Sequence, residues 1–543
     1  MTLFRRSVQL LFLALFLLLL TAASISGISM ASLDLFLLMD PSLVLLSAIS
    51  GRIVLLAFIP AALVLISGPL IGRVFCGYIC PMGTTLDGTD ALFGPKKKKL
   101  FSSTRMTGVK YLMLIFLTGS ALVGVSYVFF AAPLSLITRA YGLVLFPVVS
   151  FISREVLDLA RPLGDWMNLN AITFAQIRTI RFATQFFILL FFAAIIAMVI
   201  FSPRFWCRYL CPSGALLALV SRAPLVRRRV SNQCTQCGKC ARRCPMSAID
   251  PAAPETTHHS ECIVCRTCEE VCPEKAVSFD IRKRTDILPA GGVSLERRQV
   301  VSAGLIGAGT AVISLTGLTS LYGKQGEGQV RTPGLLRPPG ALPEMAFLSS
   351  CVRCGECMVA CPTNTLQPIW LKAGFPAIFS PALTPRRGFC DPSCHECANV
   401  CPTDAIRQTS PSDRIWAKTG TARIYRRKCL AWEFQKSCMV CDEVCPYDAI
   451  AFLKEEGNQV PVPHVLEDKC AGCGYCEHYC PVQHQAAIVV TPMDALRIEK
   501  GRYEEEAKRK GLRLQLKPKG RSAAPSEALS DAYQGEAPGF DPP

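Results

Sequence analysis

Cys234-Thr-Gln-Cys237-Gly-Lys-Cys240-Ala-Arg-Arg-Cys244-Pro245 carries four cysteines at the spacing C-x2-C-x2-C-x3-C-P, and Cys262, Cys265, Cys268 and Cys272-Pro273 repeat it. This run ligates [4Fe-4S] clusters. Three thiolates on one tight loop reach three irons of a cubane, while the fourth cysteine begins a helix aimed at a neighbouring cluster. The two loops are therefore expected to exchange their fourth ligands. One cluster is assigned to Cys234, Cys237, Cys240 and Cys272, the other to Cys262, Cys265, Cys268 and Cys244. Zinc sites usually separate two C-x2-C knuckles by a longer stretch, so the cluster reading is preferred.

Four further quartets follow: Cys351, Cys354, Cys357 and Cys361; Cys390, Cys394, Cys397 and Cys401; Cys429, Cys438, Cys441 and Cys445; and Cys470, Cys473, Cys476 and Cys480. Each ends in Cys-Pro, and the second and third widen only their first gap. After the proline the chain repeats itself, as in Pro245-Met-Ser-Ala-Ile, Pro402-Thr-Asp-Ala-Ile and Pro446-Tyr-Asp-Ala-Ile. Six copies of one loop-helix-strand unit are expected, in α+β modules like those of bacterial ferredoxins, with six [4Fe-4S] clusters.

The remaining four of the 28 cysteines form a duplicated turn, Arg73-Val-Phe-Cys76-Gly-Tyr-Ile-Cys80-Pro81-Met-Gly83 and Arg204-Phe-Trp-Cys207-Arg-Tyr-Leu-Cys211-Pro212-Ser-Gly214. Each follows an apolar run, so both are expected at the cytoplasmic membrane face. Four thiols there hold a metal or a further cluster, line a quinone pocket, or simply pack.

The chain has 543 residues, 50% of them hydrophobic and 18% charged, with a mean hydropathy of +0.33. That composition points to a membrane portion. The net charge of +17 sits beside apolar segments and not in one long run, which disfavours nucleic acid as a partner. Residues 7–33, 53–72, 111–138 and 182–203 carry no charge and are long enough to span a bilayer as helices. The shorter run 140–153 reads as re-entrant or interfacial. Basic residues before the first span (Arg5, Arg6) and in the second loop (Arg73, Lys96 to Lys99, Arg105, Lys110) put the N-terminus inside. Asp34, Asp40 and Arg52 then lie at the outer face, as interfacial anchors or as proton-releasing groups. A fifth charge-free stretch, 299–323, follows Arg297-Arg298. It resembles a twin-arginine export signal, though no hydroxyl residue precedes the arginines; the alternative is an anchor helix with basic flanks. Either way everything downstream moves to the opposite face. All six histidines lie outside the first four spans, so no b-type haem is expected, and they are read as surface residues.

The domain organisation is thus a four-helix transmembrane domain over 1–204, a cytoplasmic two-cluster ferredoxin domain over 205–285, the fifth apolar segment over 286–325, a periplasmic four-cluster domain over 326–495, and a disordered tail over 496–543. No nucleotide-binding or nucleophile motif stands out, which disfavours a self-contained substrate enzyme.

On these motifs, residues 1 to about 285 resemble the NapH family, a four-helix membrane quinol-dehydrogenase subunit with the same C-x3-C-P pair. Residues 295 to about 495 resemble the NapG/MauM family of exported four-cluster ferredoxins. The eight-residue gap from Cys429 to Cys438 and the run from Cys470 to Cys480 are particularly similar to the latter. The resemblance implies two partners fused in one chain of the bacterial inner membrane, taking electrons from the quinol pool to a periplasmic reductase or cytochrome. A maturation or regulatory protein similar to the NosR group is the alternative. By analogy with related four-cluster subunits, quartets 351–361 and 470–480 share one lobe and the inner two another; pairing in sequence order is the other possibility.

Overall fold

Among the described residues, runs of apolar residues free of charge are largely helical, and strands lie beside the cysteine loops. The computed structural model describes residues 2–23, 34–53, 56–93, 105–174, 177, 179–281, 295–316 and 335–517. Among the described residues, three helices are long and apolar enough to cross a membrane: Leu3–Ala22, Pro133–Trp166 and Arg297–Leu315. Pro41–Gly51, Leu56–Ile71, Met106–Leu122 and Gln185–Ile200 are shorter apolar helices.

One expected span and one expected re-entrant run are corrected. The stretch 111–138 is not one helix: the first part ends at Leu122, Gly124 turns the chain at φ +90°, and Pro133 opens a new helix. The run 140–153, expected to be re-entrant or interfacial, lies within Pro133–Trp166. That helix continues through charged residues because they pair along its face, Arg154 and Arg161 both with Asp158. Asp40, expected at the outer face, is 0% exposed and caps the helix Pro41–Gly51 by accepting from the Ser42 and Leu43 amides.

The fifth apolar segment is helical over Arg297–Leu315 and packs along Val109–Leu122. Glycines allow the contact: a Cβ on Gly119 would lie 2.4 Å from the Gly304 carbonyl oxygen, and one on Gly307 2.1 Å from that of Phe116. The Tyr127 hydroxyl meets Ser314 beyond the crossing.

The cysteine-rich segments attach at opposite ends of this helical region. At one end Glu261 accepts from Lys110 (2.6 Å) and Arg73 (2.9 Å). At the other, Ser50 and Ser135 donate to the carbonyls of Ser349 and Val352, and Arg353 donates to that of Ser126, all at 2.8 Å. Among the described residues the segments carry four two-stranded antiparallel sheets: Val226–Val230 with Val277–Ile281, Leu366–Pro368 with Pro381–Leu383, Thr421–Ile424 with Ile488–Thr491, and Ile450–Leu453 with Val462–Val465.

The expected disordered tail is folded as far as Lys517; 518–543 lies outside the described residues. Glu504, Glu505 and Glu506 open and Lys508 and Arg509 close the helix Tyr503–Arg509, charges that suit the helix dipole. Its Tyr503 and Ala507 are fully buried against Ala417 and Leu496, and Asp413 accepts from the Tyr503 and Glu504 amides.

Candidate iron-sulfur centres

Four of the six cysteine loops turn through a left-handed residue just after the second cysteine, whereas His395 and Met439 hold that place at negative φ in the other two. Gly238, Gly355 and Gly474 supply it in three loops, and Arg266 takes it at φ 59° in a fourth. The next residues start a short helix that carries the third cysteine. This folds three thiols around one cavity and aims the fourth elsewhere.

The cavities, of about 330 to 390 Å3, are ringed by four cysteines each. Cys234, Cys237, Cys240 and Cys272 line one; Cys244, Cys262, Cys265 and Cys268 line the next. These are the exchanged sets expected from spacing. In the second half, Cys351, Cys354 and Cys357 are joined by Cys401, while Cys390, Cys394 and Cys397 are joined by Cys361. Cys429, Cys438 and Cys441 are joined by Cys480, which leaves Cys445 beside Cys470, Cys473 and Cys476. The quartets therefore pair in sequence order; the arrangement with the two outer quartets in one lobe and the two inner in another is not the one found.

Among the described residues, no three His, Cys, Asp or Glu side chains converge on a point that would hold a single metal ion. One ion with bonds of about 2.3 Å would draw its sulfurs together. Rings wider than that, on a loop-and-exchange plan, fit a multi-iron body with one thiolate at each corner. Backbone amides already face the sulfurs: Ala248 donates to Cys244 (3.3 Å), Ala449 to Cys445 (3.4 Å), Ala422 to Cys470 (3.4 Å) and Ile406 to Cys401 (3.5 Å). Burial pushes the Cys390 thiol up to about 11 and those of Cys401, Cys268 and Cys441 to about 12, so metal binding must supply their deprotonation.

Spacing gave no hint of the cations. Arg228 lies between the first two rings, lining both and reaching the Cys240 sulfur at 3.5 Å. Arg414 reaches the Cys390 sulfur at 3.2 Å, and Arg353 lines the third ring. The histidines are not all on the surface: His259 is 9% exposed, and burial with Arg227 and Arg228 nearby lowers its pKa to about 4. Cys76, Cys80, Cys207 and Cys211 are brought together, with Cys80 and Cys211 each within electrostatic reach of Cys76 and Cys207.

Fold and rings define an iron-sulfur electron carrier of ferredoxin type. Families described as 4Fe-4S binding domain match residues 43–99, 184–233 and 347–367, and families described as 4Fe-4S dicluster domain match 227–273 and 436–484. The methylamine utilization ferredoxin-type protein MauM of Methylorubrum extorquens is 34% identical over 207 residues, 37% of this chain and 91% of that one. MauM of Paracoccus denitrificans is 39% identical over 166 residues, 29% of this chain and 72% of that one. The ferredoxin-type protein NapG of Escherichia coli is 37% identical over 179 residues, 31% of this chain and 75% of that one. The chain belongs to the MauM/NapG family of ferredoxin-type proteins, and the match covers about a third of its length.

Proposed function

We propose that the chain is a bacterial inner-membrane electron conduit, carrying electrons from quinol through six [4Fe-4S] clusters to a periplasmic reductase or cytochrome. What carries this reading is the attachment of a two-ring module and a four-ring module at opposite ends of one apolar helical region. The two-ring module faces the cytoplasm, with Arg5 and Lys110 on its side, and the four-ring module faces the periplasm.

Bound in a ring, a cluster takes up and gives back one electron. The chain's own part is to hold it by four thiolates, to donate amides to the sulfurs, and to exclude water. Arg228, Arg353 and Arg414 offset its negative charge. Quinol oxidation gives quinone, two protons and two electrons, so two one-electron acceptors are filled per quinol.

The test is iron analysis with a potentiometric EPR titration of the anaerobic protein, with and without a quinol analogue. The expected content is roughly 24 irons per chain, from six rings of four, with some clusters reduced by quinol. Zinc in place of iron, or clusters that quinol never reduces, would overturn the reading, the latter in favour of a maturation or regulatory protein. Cys244→Ser should disturb the cluster of Cys262, Cys265 and Cys268 and spare that of its own loop.

A further inference from the structure

The duplicated turn builds a centre that the six rings do not account for. Its two copies clasp each other reciprocally. Arg204 of the second donates to the Cys76 carbonyl (2.9 Å) and the Gly83 carbonyl (3.2 Å) of the first. Arg73 of the first reaches the second: its Nη2 lies 2.8 Å from where a Cβ on Gly214 would stand. Both arginines are 0% exposed, and Cys80, Cys207 and Cys211 are buried between them.

Hydrogen donors and cations face these thiols, with the Asp40 and Asp87 carboxylates also within electrostatic reach. The Gly214 amide donates to the Cys211 sulfur at 3.2 Å, and the Gly83 amide does the same for Cys80. The helices Pro81–Phe93 and Pro212–Val220 begin at the residues after Cys80 and Cys211, so two helix N-termini point at the sulfurs. Arg204 pairs with Asp87 and Arg73 Nη1 with Glu261, but Arg73 Nε and Nη2 have no hydrogen-bond partner among the described residues; its electrostatic neighbours are Cys76, Glu261 and Cys211. Buried donors left open on the side of four thiols suit a hydrogen-bond acceptor there, beyond what Glu261 supplies.

The centre touches both halves of the conduit. Cys76 packs with Ile263 among Cys244, Cys262 and Cys265 of the second ring. On the other side, Asp40 lies within electrostatic reach of Cys80 and Cys211 and accepts from the Leu134 amide (3.4 Å). The adjacent Ser135 donates to Val352, between the third ring's Cys351 and Cys354. As with the rings, no three of these groups converge on a single ion.

We propose that Cys76, Cys80, Cys207 and Cys211 hold a further iron-sulfur cluster, [2Fe-2S] or [4Fe-4S], that relays electrons between the second ring and the third. Four thiolates and bridging sulfides would give it the acceptors and negative charge that suit the open Nε and Nη2 of Arg73 and the two helix N-termini. Each passage is one electron in and one out. The proposal rests on the electron-carrier reading above.

The experiment compares full-length wild type with Cys76→Ser plus Cys211→Ser by iron, sulfide and metal analysis and EPR redox titration. The expected result is a loss of about two irons for [2Fe-2S] or about four for [4Fe-4S] and of one EPR signal, with the six-ring signals unmoved. Unchanged iron and signals, or zinc or copper in the missing place, overturn it while leaving the six-ring reading intact; a wild type without iron sinks that reading instead. If the double variant assembles no clusters, Arg73→Gln decides. One extra signal whose reduction constant alone falls at least tenfold, about 59 mV for one electron, supports the relay; no extra signal, or an unmoved one, overturns it.

Discussion

Arg139 and Arg353 are each 1% exposed, and neither has a carboxylate partner among the described residues. Arg139 donates to the Phe129 carbonyl at 2.9 Å and covers the Phe379 ring; Arg353 covers the Phe129 ring at 3.9 Å. Nearby Arg337 shows the ordinary solution, a 2.6 Å pair with Glu344. Leaving two guanidiniums unpaired costs several kcal/mol each, unless a negative body stands beside them, and Arg353 lines the third ring. Burial pulls Arg353 down only to about 10, so it is charged at neutral pH. Arg353→Gln and Arg139→Gln are expected to lower the midpoint of that one cluster, and Arg139→Lys to restore most of it, by redox titration. Equal shifts in the Lys and Gln variants would mean a steric role. Glu261→Gln tests the opposite end: it strips the shared carboxylate from Lys110 and Arg73, both 0% exposed, and should destabilise that junction by roughly 3–5 kcal/mol, read as release of residues 226–281 to limited proteolysis.

Among elements, the helix Arg297–Leu315 decides where the second half of the chain goes. It is set against Val109–Leu122 by backbone approach at glycines, so Gly307→Leu has no room to be absorbed by a rotamer change. That variant is expected to detach the helix and lower the yield of folded protein, while Gly309→Leu, whose Cβ meets nothing within 4 Å, leaves it in place. The same helix begins at the arginine pair and is capped by Glu296 and Gln299. If the pair is an export signal, Arg297→Lys with Arg298→Lys leaves residues 335–517 shielded from protease added to the periplasm. Equal cleavage in wild type and variant makes the pair a positive flank.

For the whole molecule, the order of contacts is a chain from the first two rings through the duplicated turn to the third ring and onward. Rapid mixing with quinol is expected to reduce clusters in both halves of wild type. A block at Arg73 or Cys76 should confine reduction to one half, a split that loss of either terminal partner would not produce.

The cysteine spacing by itself determined the loop-and-exchange plan, since a tight loop can bring only three thiols to one cubane and must send its fourth to a neighbour. Charge-free runs likewise announced apolar helices. Pairing among the four later quartets was beyond the sequence, because every quartet is chemically alike and only the fold sets Cys401 beside Cys351. The folded segment up to Lys517 depended on a partner distant in sequence, Asp413 accepting from the Tyr503 amide, while the break at Gly124 and the continuation past Arg154 turned on near neighbours, the new helix at Pro133 and the ion pair at Asp158. The buried arginines carried no signal of their own. An arginine reads as a basic flank until the tertiary structure removes its water and shows no carboxylate in reach.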